Sequence, residues 1–197
     1  MGIKQILLSV VAMCGIVGAG AKPATEVVAH RGYWKAEGSA QNSVASLKKA
    51  IEIGARGSEC DVYKRIDEST YAALKDCKLS NGEAIPTLDE LLAIARKQKH
   101  TKLIIEIKSH NTREKEAAAV DAVLKLVKKN KMDKLVEYIS FSQNVCERLI
   151  ALSPKAKVAY LGSDLTPKQL SDKGYTGLDY HIGAMRAHEE WFDEAKQ

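Results

Sequence analysis

Lys102-Leu103-Ile104-Ile105-Glu106-Ile107-Lys108 carries apolar side chains at consecutive rather than alternate positions. A strand of that kind has both faces covered, as in a parallel sheet flanked by helices. The next segment agrees. From Glu114 to Lys129, Val120, Val123, Leu124 and Val127 line one helical face and lysines the other. Upstream, Pro86-Thr87-Leu88-Asp89-Glu90 opens a helix with Thr87 and Glu90 as a capping box and Leu88, Leu91, Leu92 and Ala95 as its buried stripe. Ser80-Asn81-Gly82 is a turn, and 69–76 reads as a short helical turn. Before them, Gly57 to Tyr63 is a second strand. It follows a helix with Val44, Leu47 and Ile51 on one face, Asn42 as its cap and Gly54 at its end. Glu26 to Ala29 is a first strand ending in His30-Arg31-Gly32. Downstream, helices are expected over 144–152, from Thr166 with Pro167 at the first position, and over 189–196. Strands are expected over 26–30, 57–63, 102–108, 136–141, 157–161 and 176–182. This alternation predicts an α/β fold with a parallel sheet. A six-stranded doubly wound sheet and an incomplete (β/α)8 barrel both fit. The chain has no Gly-x-Gly-x-x-Gly after the first strand and no Walker motif, which weighs against nucleotide binding.

The chain has 197 residues, 45% hydrophobic and 28% charged, as expected of one folded domain and not of a disordered or collagenous chain. Aromatics make up only 6%, so the core must be aliphatic. The net charge of +5 is spread along helices rather than gathered in a run, so no nucleic-acid partner is expected. At the N-terminus, Lys4, the apolar run Ile6 to Val17 and the small residues Gly18 to Ala21 have the three parts of a secretory signal, with residues 1–21 removed. The run is short of the about 20 residues a span needs, so no transmembrane segment is expected after signal removal. An exported protein, periplasmic or extracellular, follows. Lipid attachment at Cys14 is disfavoured by Met13 beside it. Cys60, Cys77 and Cys146 form no zinc pattern and read as buried free thiols.

Chemistry in a parallel α/β protein gathers where strands end. His30 and Arg31 end the first strand, Glu59 and Asp61 share a face of the second, Glu106 and Lys108 share a face of the third, and Asp179 and His181 lie on the sixth. Carboxylates inside apolar strands need a cation or an ionic partner. Glu59, Asp61 and Glu106 could form an all-oxygen site for Mg²⁺ or Ca²⁺. Equally, Glu59 or Asp61 could pair with Lys108 or Arg31. His30 is a proton carrier near neutral pH or a packing histidine, and Arg31 offers a donor fork that suits a phosphate.

Taken together, Val27 to Gly32 (VVAHRG), Gln41-Asn42-Ser43, Gly57 to Val62 (GSECDV), Leu103 to Lys108 (LIIEIK), Glu137 to Ser142 (EYISFS) and Gly177 to His181 (GLDYH) resemble the glycerophosphodiester phosphodiesterase family in order and spacing, from about Glu26 to Ala195. The resemblance implies a TIM-barrel domain over 22–197. It also implies hydrolysis of a small-molecule glycerophosphodiester to glycerol 3-phosphate and an alcohol, with Ca²⁺ or Mg²⁺. By matching position, Glu59, Asp61 and Glu106 would hold the metal, Arg31 and Lys108 the phosphate, and His30 would be one of two histidines that move protons.

The chain departs from that family at three places. Gln41 stands where a glutamate is usual. After Asp61 the chain runs through Val62 to Glu68 into the 69–76 turn, so the strand bearing the second histidine is missing. The closing strand is missing too, and a fold that usually takes about 250 residues is compressed into an incomplete barrel of about six strands. Impaired activity is therefore expected, with a non-catalytic metal- and phosphate-binding protein as the alternative. His110 and His181 are candidates for additional pocket residues, and a homo-oligomer could cover the open barrel edges.

Overall fold

The structure is a computed structural model that describes residues 25–62, 74 and 76–196. Strands β1 (Val28–Ala29), β2 (Gly57–Val62), β3 (Lys102–Ile107), β4 (Val136–Ser140), β5 (Val158–Tyr160) and β6 (Gly177–Leu178) form one parallel sheet in sequence order. Helices α1 (Val44–Glu52), α2 (Leu88–Ala95), α3 (Arg113–Lys129), α4 (Gln143–Leu152), α5 (Pro167–Asp172), α6 (Ile182–Ala187) and α7 (Trp191–Glu194) complete the described elements. The sheet curls into an incomplete (β/α)8 barrel, so the doubly wound alternative is set aside. β2 pairs directly with β3 from Gly57↔Lys102 to Val62↔Ile107, so the sheet has no gap between them. The signal segment and Cys14 lie outside the described residues, as does the 69–76 turn apart from Leu74 and Asp76. No helix of the described residues is long and apolar enough to cross a membrane.

Strand alternation divides the side chains into two sets. Cys60, Leu103, Ile105, Ile107, Val136, Tyr138, Val158 and Tyr160 face outward and meet Leu47, Leu92, Val120, Val123, Val127, Val145 and Leu149 from the helices in one large core. Leu92, Leu103, Ile105, Ile107 and Leu149 are among its fully buried members. Each such side chain contributes roughly 1.5–3 kcal/mol by burial. The inner face holds a much smaller cluster of Val28, Ile104, Ile139 and Ala159, with Leu161 against it. Gly57 faces this narrow lumen, where a Cβ would come within 2.7 Å of Ile104 Cδ1. Toward the N-terminal ends of the strands, Arg56 makes a two-pronged bond to buried Glu137 (2.8 and 2.9 Å) and a third to Glu26 (2.7 Å). The guanidinium thereby ties β2 to β4 beneath the lumen.

Several local expectations change. The cap of α1 is Ser43, whose hydroxyl accepts from Ser46 N, and not Asn42. The N-terminus of that helix is closed further by Glu83, which accepts from Val44 N (3.0 Å) and Ala45 N (3.2 Å). The sixth strand ends at Leu178 rather than 182. A helix begins at Ile182, capped by His181 through the Gly183 amide. Of the three described cysteines, Cys60 and Cys146 are buried thiols, while Cys77 is exposed. The capping box at Thr87–Glu90 forms as read, and Thr166, opening the helix with Pro167 behind it, forms a second box with Gln169.

Candidate functional site

The inner-face residues at the C-terminal end of the sheet are set by strand register. Asp61 lies opposite Glu106, and Glu59 one layer below, opposite Ile104. Two-residue spacing turns Glu59 and Asp61 to one side and Glu106 and Lys108 to the same side. Glu59, Asp61 and Glu106 each present an oxygen, and the three oxygens lie within 4.8 Å of one another. All three side chains are almost wholly buried.

The turn after β1 supplies the next group of contacts. Arg31 adopts a left-handed backbone (φ 55°), an uncommon conformation for a side chain with a Cβ. That conformation aims its amide at Glu59 Oε2 (2.7 Å) while its carbonyl accepts from Asn42 N (3.0 Å) and Ser46 Oγ (3.1 Å). Gly32 (φ 74°) must be glycine, because a Cβ there would sit 2.3 Å from Ser46 Oγ and 2.7 Å from its backbone carbon. The Arg31 guanidinium reaches Gln41 Oε1 (2.7 Å) and Asp61 Oδ2 (3.0 Å). Asn42, also left-handed (φ 58°), clips Asp61 at two points. Its amide donates to Oδ2 (2.8 Å), and its oxygen accepts from the Asp61 backbone (3.0 Å). The Lys108 ammonium lies 2.5 Å from both Asp61 Oδ1 and Glu106 Oε1. Both readings of these carboxylates thus coexist: they form ion pairs, and they form a cluster.

Burial sets the electrostatics. It pushes Glu59 up to about 8, helped by Asp61 and Glu106 and only partly offset by the Arg31 amide. Burial also raises Glu106, against the pull of Lys108. Asp61 is likewise penalised by burial, but Lys108, Asn42 and Arg31 outweigh it and hold the carboxyl below its ordinary range. For Lys108 burial works downward, yet Asp61 and Glu106 keep the ammonium above its usual value. His30 lies 3.8 Å from Glu59 with its ring more than half exposed, and burial of the rest together with Arg31 lowers its pKa.

The residues expected at the site divide clearly. His30, Arg31, Glu59, Asp61, Glu106 and Lys108 come together. His181 does not join them. It is exposed and caps α6. His110 turns Nδ1 to the Lys108 carbonyl (2.9 Å), and its amide to Glu116 (3.3 Å), at the start of the helices behind the strand. All five histidines are among the described residues. His100 is exposed after α2, and His188 stacks on Trp191. Asn42 and Asp179 are the residues the sequence reading left out of the site. Asp179, at the end of β6, is raised to about 6 by burial and by the charge of Glu106. Its signal was position alone, two residues before His181 at a strand end.

No family model and no curated protein matches the chain. Solved structures do. A glycerophosphodiester phosphodiesterase from Parabacteroides distasonis is 44% identical, with a TM-score of 0.84 over 86% of this chain and 78% of that one. An Oleispira antarctica phosphodiesterase in complex with its product sn-glycerol-3-phosphate has a TM-score of 0.69 at 20% identity, over 87% of this chain and 82% of that one. A glycerophosphodiester phosphodiesterase from Agrobacterium tumefaciens has a TM-score of 0.64 at 19% identity, over 88% and 83%. The last two share the fold, whereas the first shares nearly half its residues over most of both chains. On that likeness the chain belongs to the glycerophosphodiester phosphodiesterase family.

Proposed function

We propose that the protein hydrolyses a glycerophosphodiester to glycerol 3-phosphate and an alcohol, at the pocket formed by Glu59, Asp61, Glu106, Arg31, Lys108 and His30. The observation that carries the reading is the buried triad, its three oxygens within 4.8 Å, beside two cationic side chains and a histidine. The residues fit a hard divalent cation, Ca²⁺ or Mg²⁺. Their donors are all carboxylate oxygens, and Glu59 Oε1 is buried without a hydrogen-bond partner among the described residues. When bound, such a cation supplies fixed positive charge to a phosphodiester oxygen. Arg31 holds a second phosphoryl oxygen through its planar donor fork, and Lys108 a third as a point charge. His30, its pKa lowered, is neutral at pH 7 and accepts the proton released as the phosphorus is attacked.

Only one of the two proton transfers then has a histidine. General acid–base help is worth about 10²–10⁴-fold, so turnover is slow. One observation favours a non-catalytic metal- and phosphate-binding protein as a second reading. His110, His181 and His188 make other contacts and His100 is exposed after α2, so His30 stands alone beside the triad. The test is release of glycerol 3-phosphate from glycerophosphocholine with Ca²⁺ or Mg²⁺. The enzyme reading expects slow release that His30→Ala and chelation abolish. Metal-dependent thermal stabilisation with no release supports the binding protein instead. We also propose export, on the pattern of residues 1–21. N-terminal sequencing of the native protein should then begin at about residue 22.

A further inference from the structure

We infer that Lys108 is a resident counter-ion which a divalent cation must expel, so that metal uptake comes first and creates the affinity for phosphate. The inference rests on the metal-site reading of Glu59, Asp61 and Glu106 and deepens it.

The argument is an inventory of oxygens. Asp61 Oδ2 is occupied by Asn42 Nδ2 (2.8 Å) and Arg31 Nε (3.0 Å). Glu59 Oε2 is occupied by the Arg31 amide (2.7 Å). These contacts hold the two carboxylates by one oxygen each and leave the other to further partners. The oxygens so left are Glu59 Oε1 and Asp61 Oδ1, joined in the triad by Glu106 Oε1, and Lys108 Nζ sits 2.5 Å from the last two. A divalent cation needs those same oxygens, and two positive charges cannot share them at such distances. The ammonium and the cation therefore compete for one seat.

Competition changes what the pocket offers an anion. While Lys108 lies between Asp61 and Glu106, its charge is taken up by those two carboxylates, and the Arg31 guanidinium is paired with Asp61. Such a pocket does not attract a phosphate. Entry of a divalent cation adds two charges and releases the ammonium on the same inner face, so both become available together. Coupling of this kind is reciprocal: phosphate must tighten metal binding by the factor that metal tightens phosphate binding.

Ca²⁺ binding to the full chain, measured by calorimetry for the wild type, Lys108→Met and Lys108→Gln, tests the inference. Removing the competitor should tighten Ca²⁺ about tenfold or more in both variants. Glycerol 3-phosphate should bind the wild type only with Ca²⁺ present, and should lose part of that coupling in both variants. The same comparison by thermal unfolding covers a poorly folding variant, since Ca²⁺ should raise the melting temperature of Lys108→Met more than that of the wild type. Unchanged or weaker Ca²⁺ binding in both variants, with the wild type still binding, overturns the inference and leaves the metal site standing. A wild type that binds neither Ca²⁺ nor Mg²⁺ overturns the metal site and this inference with it.

Discussion

Loading a divalent cation at pH 7 should expel close to one proton from Glu59. Burial places this carboxyl at about 8 in the metal-free protein, far above its ordinary value of 4.5. At pH 7 about 0.9 of the molecules then carry the proton, and at pH 9 about 0.1. Cation binding requires the ionised form, so the proton leaves as the metal enters. Release from this group should fall from about 0.9 to about 0.1 between pH 7 and pH 9, and Glu106, also raised by burial, can only add to it. Calorimetric titration with Ca²⁺ in buffers of different ionisation enthalpy reads the number directly. The same shift has a counterpart in stability. A carboxyl raised on folding lends stability that is full below about 4.5 and lost as the pH climbs through about 8, by about 5 kcal/mol at most. Urea unfolding of the metal-free protein should therefore show weakening from pH 5 to pH 9, and Glu59→Gln should flatten it. Release near zero at pH 7, or a wild type as stable at pH 9 as at pH 5, would refute the reasoning.

Three further outcomes are expected. Asn42→Ala removes two of the bonds that hold Asp61, so unfolding should cost less by about 1–3 kcal/mol, with weaker Ca²⁺ binding by calorimetry. Gly32→Ala forces a Cβ into Ser46 at a positive φ, and chemical denaturation should show a loss of more than about 2 kcal/mol. Arg56→Met strands the buried Glu137 carboxylate and should destabilise by about 3 kcal/mol. The doubly neutral Arg56→Met/Glu137→Gln should recover part of that loss, with Ca²⁺ affinity unchanged throughout.

What could be read from the sequence depended on how local its cause is. Thr87 with Glu90 is a signal three residues wide and formed as read, and the helix start at Thr166 with Pro167 is as local. The consecutive apolar run from Leu103 marked a doubly covered strand, and two-residue spacing put Glu59 with Asp61 and Glu106 with Lys108 on one side before any register was known. Asn42 was misassigned because its partner, Asp61, is 19 residues away and its left-handed backbone leaves no periodic trace. Glu83 was invisible for the same reason, bridging to α1 from 39 residues downstream. At the sixth strand the apolar spacing continued through Tyr180 to Ile182, whereas the Asp179 amide makes the last bond to β5 and the chain then turns into a helix. Periodicity reports which side chains are covered, and it does not report where the ladder stops.

The lumen cluster of Val28, Ile104, Ile139, Ala159 and Leu161 is small beside the layer between sheet and helices. The molecule is therefore held together from its rind. A barrel built this way can lose part of its wall without forfeiting most of its cohesive free energy. Its inner rim is correspondingly open to redesign. Leu161 and the solvent-facing Phe141, at the ends of neighbouring strands, can be varied with little of the fold's stability at stake.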